Sequence, residues 1–151
     1  MDIKEFLLPA DVFIKVPASD KTRLLQELAS RAASALSVPA DRIASELMKR
    51  EHLGSTGTGG GVAIPHARIP DLKKPFGTLV RLKHAIDFEA IDGKPVDIVF
   101  LLLLPAPSQG DSLNALASVA RRLRDPEAVQ RLRRATDDAE LYSAMLISSQ
   151  K

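Results

Sequence analysis

Nine residues near the middle of the chain, Val96-Asp97-Ile98-Val99-Phe100-Leu101-Leu102-Leu103-Leu104, leave few folds open. A strand with one face in water alternates apolar and polar side chains. A run that is apolar at successive positions is covered on both faces. Residues 98–104 also fall far short of the roughly 20 that a membrane span needs. The run therefore predicts the central strand of a sheet with other layers on either side. Pro105 and Pro107 are expected to end it.

The flanking sequence supplies those layers. Residues 2–8 read as one helical turn stopped by Pro9, and the alternation of Val12, Ile14 and Val16 as a first strand. Ser19 or Asp20 can cap a helix running to about Leu36, with Leu24, Leu25, Leu28 and Ala32 inward. Pro39 suits a helix start, and a second helix is expected from about Ala40 to Glu51, closed by Gly54. Residues 69–75, with two prolines, read as a loop. Residues 78–82 read as a strand, Ile86 and Phe88 as the start of another extended piece, and Asp92-Gly93 as a hairpin turn. Leu113, Leu116, Val119, Ala120 and Leu123 recur at helical spacing. Asp125-Pro126 opens a short helix through Val129 and Leu132. Asp137 with Glu140 forms a capping box for a last helix, in which Leu141 and Met145 share a face. The expected fold is α/β: a single-domain sandwich over residues 1–151, a mixed β-sheet with helices on both faces.

Bulk properties remove several function classes. A chain of 151 residues with formal charge +2 has no large basic field for nucleic acid. There is no cysteine, and the three histidines are too scattered for metal-ligand spacing, so neither a metal nor a cofactor is expected. No basic stretch followed by a long apolar core marks the N-terminus as a leader, so no membrane insertion and a cytoplasmic location are expected.

Chemistry concentrates in residues 50–68, R-E-H-L-G-S-T-G-T-G-G-G-V-A-I-P-H-A-R, which hold five of the chain's eight glycines. Such a run is either a flexible turn or a loop whose N–H groups converge on an anion. Val62-Ala63-Ile64 reads as a short buried strand, and Pro65 ends it and stiffens the approach to His66. Two nucleotide-binding patterns fail. The P-loop lysine is missing after Gly59, and Val62 stands where the dinucleotide pattern needs its last glycine. An imidazole beside an anion cradle points to phosphoryl transfer through His66. Arg50 reads either as a solvated helix-end arginine countering the dipole or as a bidentate phosphoryl ligand. Arg68 reads as merely exposed.

The order R-E-x-x-G-S-T-G-x-G-x-G-V-A-I-P-H resembles the phosphorylation-site segment of the IIA proteins of the bacterial phosphotransferase system, mannitol/fructose class, and within it the nitrogen-regulatory IIA branch. The likeness continues through Ala90-Ile91-Asp92, Pro95-Val96-Asp97, Val119-Ala120-Arg121-Arg122-Leu123, Leu132-Arg133 and residues 138–142. The resemblance implies the same α/β sandwich. It implies that His66 takes a phosphoryl group on its tele nitrogen from an HPr-like histidine phosphocarrier protein, with Arg50 as catalytic partner. It places Gly54, Ser55 and Thr56 at the phosphate, although a simple turn role stays open for them. Its partners would be regulated proteins such as potassium-transport or sensor-kinase components. One departure stands out: Ser112 occupies the place where relatives carry a second histidine at a helix start. A serine and a helix N-terminus still offer donors to a phosphate, but not an imidazole's proton.

Other readings compete. Gly110-Asp111-Ser112-Leu113 spells an esterase nucleophile block, but no histidine follows His84 to serve as base. A sugar-specific IIA component passing phosphate to a IIB domain is the alternative within the family. A third reading is a binding module whose surface is switched by phosphorylation. His52 and His84 match no motif. The arginines at 121, 122, 124, 131, 133 and 134 read as a solvated basic face, or secondarily as a docking surface for an acidic partner.

Overall fold

The computed structural model of the protein describes residues 2–70, 72–106 and 110–147. The apolar run forms β6, Val96–Pro105, at the middle of a mixed sheet ordered β1-β5-β6-β3-β2. β6 runs antiparallel to β5, Phe76–Ile86, and parallel to β3, Val62–Ala63, and β4, His66–Ile69. β1, Leu7–Val16, pairs in parallel with β5 at one edge, and β2, Gly57–Gly59, lies antiparallel to β3 at the other. Both faces of β6 are buried, as its composition requires. Ile98, Phe100, Leu102 and Leu104 enter one core, with α3 (Gly110–Arg124), α4 (Pro126–Arg134) and α5 (Asp138–Leu146). Val99, Leu101 and Leu103 enter the other, under α1 (Lys21–Leu36) and α2 (Ala40–Leu53). The mixed sheet with helices on both faces is the architecture that the sequence predicts.

The local signals hold where they are chemical. Asp20 caps α1 by accepting the Arg23 N–H at 2.8 Å, and Asp137 caps α5 by accepting that of Glu140 at 2.8 Å. The Glu140 carboxylate, however, reaches back past Asp137 to the N–H of Thr136 at 2.7 Å. Asp92 closes its turn by accepting the Lys94 N–H, with Gly93 at φ 73°.

Several boundaries move. The N-terminal helical turn is confined to a 3-10 turn at Ile3–Glu5, and the chain is already a strand at Leu7, with Pro9 inside it. The proline falls on the edge strand, within the register shift between Leu7 and Val12 where the ladder with β5 is interrupted. β5 extends beyond residues 78–82 in both directions and includes Ile86. Phe88 lies beyond it as a fully buried anchor in the connection to β6. α2 continues two residues past Glu51 before Gly54 stops it, and α3 begins at Gly110. Pro105 is the last residue of β6 rather than its terminator, and pairs with Ile69. Pro107 lies outside the described residues.

The main correction concerns Pro65. Val62 lies opposite Ile98 and His66 opposite Leu102, four residues further on both strands, so β3 and β4 follow one unslipped register along β6. Pro65 has no N–H to give, but its carbonyl accepts the Leu102 N–H at 2.9 Å. The Ile64 N–H turns aside to the Thr56 carbonyl at 3.0 Å. The strand is interrupted, not ended, and His66 is itself a strand residue. The expected loop begins only after Ile69.

Candidate functional site

Three elements converge on one cavity of about 350 Å³: the last turn of α2, strand β4 and the first turns of α3. α2 contributes Glu46, Lys49, Arg50 and Leu53, β4 contributes His66 and Arg68, and α3 contributes Ser112, Leu113 and Leu116. The floor is apolar, with Ala67 and Leu104. Leu53 and Leu113 stand at the mouth, 85% and 62% exposed.

His66 is half-buried and rigidly oriented. Its Nδ1 lies 2.8 Å from the Ile64 carbonyl. A carbonyl can only accept, so Nδ1 carries the proton, and the lone pair of the neutral ring is on Nε2. No hydrogen-bond partner meets Nε2 among the described residues. Burial holds the imidazole below its ordinary value of 6.5. The Ile64 carbonyl opposes this, the Arg50 charge adds to it, Glu51 opposes it and Arg68 adds to it. A ring depressed in this way is neutral at neutral pH and available as a nucleophile.

Arg50 lies one turn from the end of α2, and its Nη1 donates to the Gly54 carbonyl at 2.8 Å. That bond holds the guanidinium at the cavity with further N–H groups free of the helix. Ser112 is fully buried in the first turn of α3, and its hydroxyl has no hydrogen-bond partner among the described residues. A buried hydroxyl without a partner costs about 1–3 kcal/mol. Here it lines a cavity at a helix N-terminus, where backbone donors and the helix dipole also favour an anion.

The structure thus brings His66, Arg50 and Ser112 together, with Gly54 as the acceptor that steadies Arg50. Ser55 and Thr56 are placed differently. The Ser55 hydroxyl donates to the Phe88 carbonyl at 2.8 Å and accepts the Gly57 N–H at 3.0 Å. The Thr56 N–H donates to Glu51 at 3.1 Å, and its hydroxyl donates to the same carboxylate. The Gly54 N–H is likewise spent on the Glu51 carbonyl. The two hydroxyls and the Gly54 and Thr56 N–H groups thus fasten the loop to the protein. The glycines with strongly positive φ, Gly59, Gly60 and Gly61, turn the β2–β3 hairpin elsewhere, beside Asp92 and Arg133.

Arg68 is the residue that sequence reasoning set aside and the structure brings in. Strand side chains alternate, so the residue two beyond His66 shares its side of β4. A strand that ends at Pro65, as the proline alone suggests, hides that signal. His52 and His84 are exposed and do not line the cavity, and neither do the arginines of α3 and α4. Arg122 donates to the Met145 carbonyl, and Arg133 is paired with Asp97 at 2.8 Å. No helix among the described residues is long and apolar enough to cross a membrane.

Comparison with known proteins places this arrangement. Residues 5–148 match the family described as "Phosphoenolpyruvate-dependent sugar phosphotransferase system, EIIA 2". The chain is 42% identical over 147 residues to the nitrogen regulatory protein of Bradyrhizobium diazoefficiens, covering 97% of this chain and 96% of that one. It is 41% identical over 129 residues to the nitrogen regulatory protein of Escherichia coli K12, covering 85% and 79%. The crystal structure of the nitrogen regulatory protein IIA-Ntr from Neisseria meningitidis superimposes with a TM-score of 0.87 at 31% identity, over 95% of this chain and 98% of that one. The chain belongs to the EIIA 2 family of the phosphotransferase system and, within it, to the nitrogen-regulatory IIA branch.

Proposed function

We propose that this protein is a phosphoryl carrier whose Nε2 of His66 takes a phosphoryl group from an HPr-like histidine phosphocarrier protein. The phosphorylation state of His66 would then control which regulated protein it binds. One observation carries the reading: His66, with Nδ1 held 2.8 Å from the Ile64 carbonyl, lines a cavity shared with the Arg50 guanidinium and with a buried Ser112 hydroxyl that has no hydrogen-bond partner among the described residues.

The step is a displacement at phosphorus. The Nε2 lone pair forms the new N–P bond, and the electron pair of the donor's N–P bond stays on the donor nitrogen. No proton has to leave His66. As Nε2 bonds to phosphorus the ring takes imidazolium character, and the Ile64 carbonyl stabilises the Nδ1–H that it already holds. The Arg50 guanidinium has the fork geometry for two phosphoryl oxygens. The Ser112 hydroxyl and the N-terminus of α3 supply further donors on the other wall. Gly54 steadies Arg50 from behind, while Ser55 and Thr56 serve the phosphate by fixing the loop.

Phosphorylation adds about −1.5 to −2 charge by analogy with other phosphorylated side chains. At a mouth flanked by exposed Leu53 and Leu113, that charge alters what can dock. Two exposed leucines suit a partner in one state and a phosphate partly neutralised by Arg50 suits a partner in the other.

Intact mass after incubation with phosphoenolpyruvate, the first enzyme of the system and its histidine phosphocarrier tests the reading. One acid-labile phosphate on wild type and none on His66→Ala is the expected result. An unmodified wild type, with donors shown active, would sink it.

A further inference from the structure

Behind the cavity, and not lining it, lies Glu51, the one charged residue buried among those described. The phosphoryl step does not touch it. Its carboxylate receives the Lys21 Nζ at 2.7 Å, the Thr56 N–H at 3.1 Å and the Thr56 hydroxyl. Lys21, the first residue of α1, is itself held between Glu51, the Phe88 carbonyl at 3.3 Å and Glu89 at 3.3 Å, with Nζ 4.7 Å from the Phe88 ring centroid. An apolar pair could join α1 to α2 here with no charge to desolvate. What a buried, fully bonded carboxylate adds is direction: it fixes where its donors point.

That direction reaches His66. Thr56, clamped by Glu51, presents its carbonyl to the Ile64 N–H at 3.0 Å. Ile64, at the interruption between β3 and β4, presents its own carbonyl to His66 Nδ1 at 2.8 Å. At Thr56 and at Ile64 the peptide before the residue takes one bond and the peptide after it makes the next, so each residue passes its position on across its Cα.

We infer that Glu51, held by Lys21, is a positioning residue that sets the tautomer and ring orientation of His66 through Thr56 and Ile64. The inference rests on the reading of His66 as phosphoryl acceptor. When the Glu51 carboxylate is lost, the Ile64 carbonyl drifts from Nδ1. The ring then populates the tautomer with its proton on Nε2, where no lone pair faces the donor.

The test uses the full chain with 15N-labelled histidine and is read on the neutral ring. Wild type is expected to show His66 as a single tautomer protonated on Nδ1. Glu51→Gln and Thr56→Val should move the ring-nitrogen shifts toward a mixture of tautomers, and Glu51→Asp should restore part of the wild-type pattern. Transfer from a phosphorylated histidine phosphocarrier should fall roughly tenfold to a hundredfold in step with the tautomer change, as small misplacements of reacting groups do. Should Glu51→Gln fail to fold, Thr56→Val, which keeps the backbone bond and loses only the hydroxyl, decides. Wild-type ring-nitrogen shifts in the folded variants overturn the inference, and so does a tautomer change that leaves the rate intact. A wild type that accepts no phosphate while the variants still change tautomer supports the positioning role and removes the acceptor reading instead.

Discussion

His66 donates from Nδ1 to the carbonyl of Ile64, two residues before it, at 2.8 Å. The side chain proposed to carry the chemistry is thus oriented by its own approach strand, and its position in a buried strand also sets its protonation. Burial, the largest influence, holds the imidazole below 6.5. Above that value the ring is neutral in both the folded and unfolded chain and contributes no pH dependence. As pH falls through 6.5 the unfolded chain takes the proton first, so stability is lost down to the pH at which folded His66 also protonates. Urea unfolding of wild type and His66→Gln at about pH 7.5 and about pH 5 checks this. Wild type should lose more stability on acidification than the variant; equal losses would show that the depression is absent. The acid limb of the transfer rate should likewise fall below 6.5.

Arg50 is expected to be a matter of geometry more than of charge. Lysine keeps the charge but not the planar fork, and it does not reproduce the bond to the Gly54 carbonyl while facing the phosphoryl oxygens. Arg50→Lys should lower the transfer rate roughly tenfold and Arg50→Ala further, each by losing charge-assisted bonds of about 1.5–3 kcal/mol. Because Arg50 is only half-buried and its acceptor can be hydrated, melting temperatures should move little. Single-turnover kinetics beside thermal melts separates the two effects. A lysine variant as fast as wild type would remove the bidentate role.

Gly57 should resist substitution for a reason of space. A Cβ added there would lie 2.8 Å from the Ala90 Cβ and 2.9 Å from its Cα, and the Gly57 carbonyl accepts the Ile91 N–H at 3.1 Å. Neither neighbour is the free end of a flexible chain. Gly57→Ala should therefore destabilise the protein by about 1–3 kcal/mol, the usual cost of overpacking. By loosening the loop that Thr56 anchors, it should also slow transfer. A denaturation midpoint unchanged from wild type would show that the two segments can part without cost.

What the sequence made legible follows from what is local. β6 could be read because burial on both faces leaves no polar alternation, and α1 because Asp20 sits one residue before it. Arg50 and His66 stand at the two ends of an ordered motif, Ser112 was legible only as a departure from the family's pattern, and the three do share a cavity. Arg68 was missed because Pro65 reads as a strand end. Only the register with β6 shows that the proline costs one N–H and leaves its carbonyl paired. The inward turn of Ser55 could not be read at all, since its acceptor, Phe88, lies 33 residues away. The positive-φ glycines were legible as flexible but not as the hairpin turn beside Asp92 and Arg133.

Ser112 offers the sharpest separation of function from stability. Its side chain is fully buried, and its hydroxyl has no hydrogen-bond partner among the described residues. Removing an unmet polar group does not cost the folded state, so Ser112→Ala should leave the free protein as stable as wild type or more stable by up to about 1 kcal/mol. With a phosphoryl group on His66 the balance reverses, because the serine can then donate to a charged oxygen, a bond of about 1.5–3 kcal/mol. Ser112→Ala should therefore shift the phosphoryl equilibrium with the histidine phosphocarrier toward the donor, roughly tenfold or more. Intact mass at equilibrium, paired with melting curves of the free protein, reads both arms. A variant that melts lower yet holds as much phosphate as wild type would make Ser112 a packing residue. The donors on that wall would then be the N–H groups of α3 alone.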